Sequence, residues 1–573
     1  MKIIGMNSEH DTSFAVLEGG IPIFHAELER YTRNKEEPGD CFAFLADTYP
    51  EYEKVKNLAH CVHWRDGKRI EERFPESFAK IVGKDKVFYE PGHHEAHAAN
   101  AFFSSNFDEA LIVTMDGGGH DYLPNNMGGS DAFIHYQLHA EVLPWRQSDA
   151  DTKTVAGTAF TLWHGKGNKI YNIFTFPQNI LDIGGAWTNI LRNLGMSIGP
   201  PYGNQAGTLM AMASMGDLAG PADELLKLFL GTKFSPVIAL AKEAQSGEHV
   251  HDYMIRFMKE KNLSAFDLAA ALQRATEITV KHVIAYYSEL AIKNNIRNLC
   301  LSGGVALNSV MTGKMFDWYG GYFENIYIPP VPYDAGLSIG AAQWVWHQAM
   351  DQPRVKWDRN ASPYLGELYG KKDVNAALQK YSSILGDKIN TKTVKDENVV
   401  DLLDKQKIVS VFGGRSESGR RALGNRSILA DPRAPDMKDK INKKVKHRQH
   451  FRPFAPSILR EDVAEWFVKD IESPYMSFVI KFREEMQSKV PAVVHIDGTA
   501  RLQTVTEKDN FWFYNFLKKW KEKTKIPILL NTSFNDREPI VETPEDAIKC
   551  FLKTDIDFLY FYEQGILVGK GDQ

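Results

Sequence analysis

His93 and His97, in the run PGHHEAHAAN, lie four residues apart, a spacing that turns both imidazoles to one side of a helix. Two neutral imidazoles so placed can clamp a first-row metal; the same pair also fits surface histidines or histidines satisfied within a core. Asp116, closing an apolar run, and Asp334 in Pro332-Tyr333-Asp334-Ala335-Gly336 can complete a two-histidine, two-carboxylate shell. Such a shell with open positions suits Fe(II), Mn or Zn. Asp334 reads equally as the N-cap of the helical stretch after it. His10, in a loop between two short apolar runs, can act as a general base near neutral pH or be a loop histidine without a role.

A second chemistry is written further along. The run Gly413-Gly414-Arg415-Ser416-Glu417-Ser418-Gly419-Arg420-Arg421-Ala422-Leu423-Gly424-Asn425-Arg426-Ser427 sets arginines among glycines and small residues. Lys443-Lys444-Val445-Lys446-His447-Arg448 follows and leads into Phe451-Arg452-Pro453-Phe454. Arginines in that setting suit bidentate grip on phosphate or carboxylate. A solvated basic face is the plainer reading, but the interspersed Gly, Pro and Phe argue against a surface helix. The run lacks the interleaved aromatics of an RNA-stacking platform. It reads as an anion pocket for a nucleoside triphosphate and a second phosphorylated small molecule.

The elements that must position these groups are legible in outline. Lys2–Met6, Ser13–Leu17 and Ile21 to about Leu28 read as three strands, with Asn7–Thr12 as a loop and Gly19-Gly20 as a turn. The pattern recurs at Ala110–Met115, the loop Asp116–Asp121 and a later strand at Ala132–Leu138. Two such units suggest two related α/β subdomains facing a cleft. A long amphipathic helix is predicted over Phe266–Lys293, then a strand at Leu299–Leu301 and a turn, Ser302-Gly303-Gly304, that permits close backbone approach to a ligand. A helix follows at Leu337–Met350. The aperiodic, proline-bearing stretch 351–363 marks a domain boundary. Beyond it come a helix near Val374–Tyr381, a strand at Ile408–Phe412, and a last helix with Thr543 as N-cap and Pro544 as first residue.

The chain has 573 residues, 43% hydrophobic and 25% charged, with net charge −5. That is ordinary globular composition with no global field for nucleic acid. Its four cysteines form no C-x-x-C pair, which fits a reducing compartment. The start MKIIGMNSEHDTSF places polar and charged residues where a signal peptide would need its apolar stretch, so none is expected, and no apolar run is long enough to span a bilayer. A cytoplasmic enzyme, not bound to membrane, is expected.

The strings GRRALGNRSILADPR, FRPFAP, SPYM, HIDGTARLQTV and LLNTSFN resemble the C-terminal half of the O-carbamoyltransferases, the family of nodulation protein U and the cephamycin, novobiocin and tobramycin carbamoyltransferases. The His10-Asp11 loop, AELERYTRNK, HHEAHAA, MDGGG, SGGVALN and PPVPYDAGLSIGAA resemble its first half, in the same order. The resemblance implies an α/β protein. A TsaD-like domain with a duplicated actin/Hsp70-type ATPase fold would occupy 1–355, and a YrdC-like α/β domain 364–573. It implies that the C-terminal site joins carbamoyl phosphate to ATP, with Mg2+, as carbamoyladenylate. The N-terminal site would then pass the carbamoyl group to a hydroxyl of a small, natural-product-like acceptor.

Carried over residue by residue, His93, His97, Asp116 and Asp334 match the ligands of Fe(II) or another divalent transition metal, and His10 the transfer histidine. Gly117, Gly118, Gly303, Gly304 and Asn308 match nucleotide-binding positions of the first domain. Arg420, Arg421, Arg426, Lys446, Arg448, Arg452, Arg501, Asn531 and Ser533 fall in the motifs for carbamoyl phosphate and ATP, with Lys446 and Arg452 as catalytic groups. Nucleic acid is not an expected partner; a homodimer is compatible. The alternatives are a threonylcarbamoyl-transfer enzyme acting on tRNA and a non-catalytic nucleotide-binding module of actin fold.

Overall fold

A computed structural model describes residues 1–8, 10–62, 68–83, 85–124, 134–135, 153–177, 181–197, 199–201, 203–230, 248, 250–356, 363–385 and 389–570. The chain divides into two units. Met1–Leu28 and Glu36–Trp357 form the first; Glu29–Lys35 and Asp358–Gln573 form the second. The division at 357/358 falls in the aperiodic stretch that the sequence marks. The assignment of Glu29–Lys35 to the second unit has no counterpart in the sequence reading.

In the first unit, strands β1 (Lys2–Asn7), β2 (Ser13–Glu18), β3 (Ile21–Glu27), β4 (Asn57–His60) and β5 (Val87–Tyr89) form a sheet in the order β3-β2-β1-β4-β5. β1 runs antiparallel to β2 and parallel to β4; β2 is antiparallel to β3, and β4 parallel to β5. A second sheet follows from β6 (Glu109–Pro124), β7 (Ile134–His135), β8 (Lys153–Lys166), β9 (Lys169–Pro177), β10 (Asn298–Ser302) and β11 (Asn325–Tyr327), in the order β11-β10-β6-β8-β9-β7. β6, β8 and β9 pair antiparallel; β6, β10 and β11 pair parallel. Setting β7 aside, the two sheets share one order and one polarity. This is the duplicated arrangement of the actin/Hsp70-type fold. Continuous burial along β1 and β10 fits central strands covered on both faces.

Two sequence expectations change here. Asp116–Asp121 is not a free loop: β6 continues through it with a register irregularity between Met115 and Gly119, because β8 is long enough to pair both limbs. Asp334 is not a side-chain N-cap; it opens a short turn, Asp334–Gly336, and Gly336 stands at the cap of helix Leu337–Trp344. The expected strand at 132–138 lies outside the described residues except for Ile134–His135. The long helix spans Ala265–Lys293.

Helix Leu337–Trp344 is wedged between β1 and the helix His93–Ser104. A Cβ on Gly5 would stand 1.9 Å from the Ser338 carbonyl oxygen, and one on Gly340 1.9 Å from that of Ala96. Only glycine permits both approaches. Because Ala96 lies between His93 and His97, this packing brings Asp334 to the two histidines. Ala96, Ala99, Leu337, Ala341 and Ala342 belong to one buried cluster around this contact.

The second unit is a mixed sheet in the order β12-β20-β19-β13-β14-β18-β15-β17-β16: β12 (Ile389–Thr393), β13 (Val409–Phe412), β14 (Arg426–Ala430), β15 (Ala455–Leu459), β16 (Phe478–Lys481), β17 (Thr499–Val505), β18 (Ile528–Ser533), β19 (Phe558–Phe561) and β20 (Ile566–Lys570). The arginine-rich run is the connection from β13 to β14. The helix Phe511–Thr524 lays Phe513, Phe516, Leu517 and Trp520 on the sheet core with Val409, Val411 and Leu429. The last helix, Pro544–Lys553, begins as its sequence requires: Thr543 accepts from the Asp546 N–H, and the Asp546 side chain accepts from the Thr543 N–H. Among the described residues no helix is long and apolar enough to cross a membrane.

Candidate active sites

The helix His93–Ser104 starts at Gly92 without a capping side chain of its own. Asp121, from the far limb of β6, supplies the cap, accepting from the His94 N–H at 2.9 Å and the Glu95 N–H at 3.4 Å. His93 and His97 then face Asp116. His93 Nε2 lies 3.2 Å and His97 Nε2 3.0 Å from Asp116 Oδ2; Asp334 Oδ1 lies 3.8 and 3.5 Å from the same nitrogens. One ligand atom from each of the four residues falls within 4.8 Å of the others, and all four residues are buried. Asp116 Oδ1 is held by the N–H groups of Gly117 at 2.7 Å and Gly304 at 3.3 Å.

The four groups shift one another strongly. Burial opposes protonation of His97, yet the neighbouring Asp116 and Asp334 lift it to about 9; His93 is lifted too. Burial works against Asp116 ionising, but the two imidazoles hold it well below the ordinary carboxylate range. Burial and the Asp116 charge raise Asp334. Asp334 Oδ1 is buried without a hydrogen-bond partner, and a buried carboxylate oxygen left so is costly. Two imidazoles and two carboxylates with that oxygen spare fit a divalent transition metal. His94, by contrast, turns its Nδ1 to Thr114 at 2.8 Å, is pushed down to about 4 by burial, and stands outside the group of four gathered ligand atoms.

His10 stands beside this group. Its Nδ1 is 2.9 Å from Asp11 Oδ2 and its Nε2 3.3 Å from Asp334 Oδ2, while 63% of the side chain stays exposed. Desolvation pulls its pKa down, but Asp334 and Asp11 more than offset this and hold the ring well above the usual imidazole value. Gly303 has φ +91°, and a Cβ there would sit 2.0 Å from the Met115 carbonyl oxygen. Asn308 caps the next helix, accepting from Met311 N–H at 3.1 Å, and donates to Gln273 at 2.8 Å. Gly118 has φ +132°.

In the second unit Arg421, Arg448, Arg452 and Arg501 gather. Burial first, then Arg452 and Arg501, push Arg448 down; burial, then Arg421 and Arg452, push Arg501 down; burial lowers Arg452 to about 10. Like charges collected at half-buried positions favour an anion beside them. Arg448 keeps its orientation by donating to Asn442 Oδ1 at 2.7 Å and lying over the Phe454 ring. Arg420 directly precedes Arg421 on the same turn.

The other expected residues stand differently. Arg426 is fully buried, spends its guanidinium on the carbonyls of Gly413 and Asn425 at 2.7 and 3.1 Å, and stacks over Phe412. Lys446 points into the protein: its Nζ donates to Ser533 O at 2.5 Å, Asn535 O at 2.8 Å and Asn535 Oδ1 at 2.6 Å. Asn531 Nδ2 donates to Gln503 Oε1 at 2.9 Å and Ser457 Oγ at 3.0 Å, leaving its Oδ1 buried without a partner. Sequence reasoning passed over Glu417. Its Oε1 accepts from the Leu423, Asn425 and Arg426 N–H groups at 2.7, 2.8 and 3.2 Å, which shapes the whole arginine run. The signal was a single acid in a run of arginines and glycines.

The family models Carbamoyltransferase N-terminus and Carbamoyltransferase C-terminus match residues 66–343 and 400–567. Nodulation protein NolO of Bradyrhizobium diazoefficiens is 32% identical over 478 residues, covering 82% of this chain and 77% of that protein. Nodulation protein U of the same organism is 31% identical over 578 residues, covering 93% and 92%. An uncharacterized protein of Methanocaldococcus jannaschii, MJ1058, is 33% identical over 512 residues, covering 86% and 75%. Among solved structures, HypF in a phosphate- and nucleotide-bound form superposes with TM-score 0.32 at 15% identity, over 60% of this chain and 54% of that one.

Proposed function

The chain belongs to the carbamoyltransferase family, and from that premise we propose an ATP-dependent O-carbamoyltransferase that works in two half-reactions. The observation that carries the proposal is the gathering of the half-buried Arg421, Arg448, Arg452 and Arg501, whose mutually repelling charges suit a polyanion. Carbamoyl phosphate and ATP, with Mg2+, together are such a polyanion. Water bonds to the phosphorus of carbamoyl phosphate as its bridging P–O bond breaks, releasing phosphate and leaving carbamate, whose oxygen attacks the α-phosphorus of ATP. That bond forms as the α–β bridge breaks, giving carbamoyladenylate and pyrophosphate. The guanidinium groups offset charge on the departing oxygens, and Lys446 keeps Ser533 and Asn535 in place beside them.

Transfer belongs to the first unit. His93, His97, Asp116 and Asp334 would hold a divalent transition metal, which would supply Lewis-acid polarisation of the carbamoyl carbonyl. Asp11 fixes the His10 ring through Nδ1, and the neutral form of the ring, which its raised pKa makes commoner only as pH rises, accepts a proton at Nε2. The acceptor oxygen bonds to the carbamoyl carbon, the bond to AMP breaks, and the hydroxyl proton passes to His10. Gly117 and Gly304 keep Asp116 oriented through their N–H groups, and Gly303 lets the chain pass close against the Met115 carbonyl so that Gly304 reaches Asp116. The acceptor is a small, natural-product-like hydroxyl compound, since the net charge of −5 offers no global field for tRNA. The test is incubation with ATP, carbamoyl phosphate and a panel of hydroxylated metabolites. Carbamoyl phosphate-dependent pyrophosphate release and a carbamoyl mass increment on one acceptor support the proposal, and neither appearing overturns it.

A further inference from the structure

Glu29–Lys35 is part of the second unit, although the chain on both sides of it belongs to the first. Two arginines fasten this short strap to the rest of the second unit. Arg30, 3% exposed, donates through Nη2 to Gly419 O at 2.6 Å and Glu417 O at 3.2 Å, with Glu542 Oε2 3.9 Å from its Nη1. Arg33 donates to Ile540 O at 2.7 Å and to Pro539 O. The first pair of acceptors immediately precedes Arg420 and Arg421. The second pair closes the loop that begins with Ser533 and Asn535, the residues that Lys446 holds.

Gly419 has φ +90°, so its turn is one that an L residue would rarely adopt. Arg420 and Arg421 therefore leave this turn in a direction set by whatever holds the Gly419 carbonyl. Both carbonyls are bonded by one nitrogen, Nη2, whose two N–H bonds lie fixed in the guanidinium plane and so set a direction; an ammonium rotates about its stem and sets only a point. Burying a guanidinium against carbonyls is costly in stability terms and gains mainly geometry.

We infer that Arg30 and Arg33 are positioning residues of the adenylating site, in which the strap sets the spacing between the Gly419–Arg421 turn and the Ser533–Ile540 loop. The inference rests on the adenylation reading proposed above. Neither arginine touches substrate; both act through the residues that do. A displacement of about 1 Å at such a site costs on the order of 10²-fold in rate.

The test uses the full chain. The parent, Arg30→Lys and Arg33→Met are assayed for carbamoyl phosphate-dependent pyrophosphate release, with kcat and the KM for carbamoyl phosphate determined separately. The expected result is a loss of roughly 10- to 100-fold in kcat/KM, carried mostly by kcat, with melting temperature and metal content of the first unit unchanged. Arg30→Ala should regain activity when guanidinium ion is added, a recovery that a purely structural role would not give. Should the Arg30 variants fail to fold, Arg33→Met, at a half-buried position, decides alone. Variants within about twofold of the parent in kcat/KM overturn the inference. A parent that releases no pyrophosphate overturns the adenylation reading, and this inference with it.

Discussion

Asp116→Asn tests the metal centre with little disturbance of the fold. The amide oxygen can take the place of Oδ1 and keep the N–H groups of Gly117 and Gly304, while the amide nitrogen replaces Oδ2 opposite His93 and His97. One ligand charge disappears and an N–H donor faces two imidazoles. In metal-free protein the lift of His97 from 6.5 to about 9 amounts to roughly 3 kcal/mol of native-state interaction. The sign follows from the direction. A histidine raised in the folded state contributes fully below its unfolded value and loses that contribution as pH rises through about 9. The Asn variant should therefore be less stable than the parent by about 1.5–3 kcal/mol at pH 6, with the gap closing by pH 9.5. Thermal melts in EDTA across that range measure it. Changes outside the ligand shell typically cost 10–100-fold in metal affinity, so loss of a ligand should cost more than about 100-fold for Mn(II) or Fe(II). Carbamoyl phosphate-dependent pyrophosphate release should persist, because it is assigned to the other unit. A gap independent of pH, together with unchanged Mn(II) affinity, would refute the reasoning.

Arg452→Met should slow pyrophosphate release by roughly 10- to 150-fold at low substrate concentration, since each charge-assisted bond to a phosphate oxygen is worth about 1.5–3 kcal/mol; metal binding should be untouched, and near-normal release would count against the pocket. Glu417→Gln keeps the accepting oxygen but removes its charge from three backbone bonds, so amide exchange at Leu423, Asn425 and Arg426 should quicken by the equivalent of about 1–3 kcal/mol. Unchanged protection there would show that the loop holds itself. His10→Asn should slow acceptor carbamoylation by roughly 10²–10⁴-fold while pyrophosphate release continues; a loss confined to acceptor affinity would make His10 a binding residue.

Local pattern decided more of this protein than its size suggests. The three opening strands, the long helix Ala265–Lys293 and the Thr543-Pro544 helix start were legible because alternation, 3.6-residue periodicity and capping act over a few residues. The His93/His97 spacing was legible for the same reason: a helix fixes the faces of residues four apart. That these histidines meet Asp116 and Asp334 was decided by tertiary packing, through two glycines that let helix Leu337–Trp344 lie against β1 and against Ala96. Asp121 caps a helix far from it in sequence, and β6 runs through an apparent loop because β8 pairs both limbs. The composition of the basic run points to an anion. Which arginines gather and which, like Arg426, turn inward depended on Glu417, Phe412 and the strap Glu29–Lys35. Sequence determines what a residue can do and its neighbours within a turn. Long-range pairing depends on burial and close approach between elements hundreds of residues apart, and only the folded chain settles it.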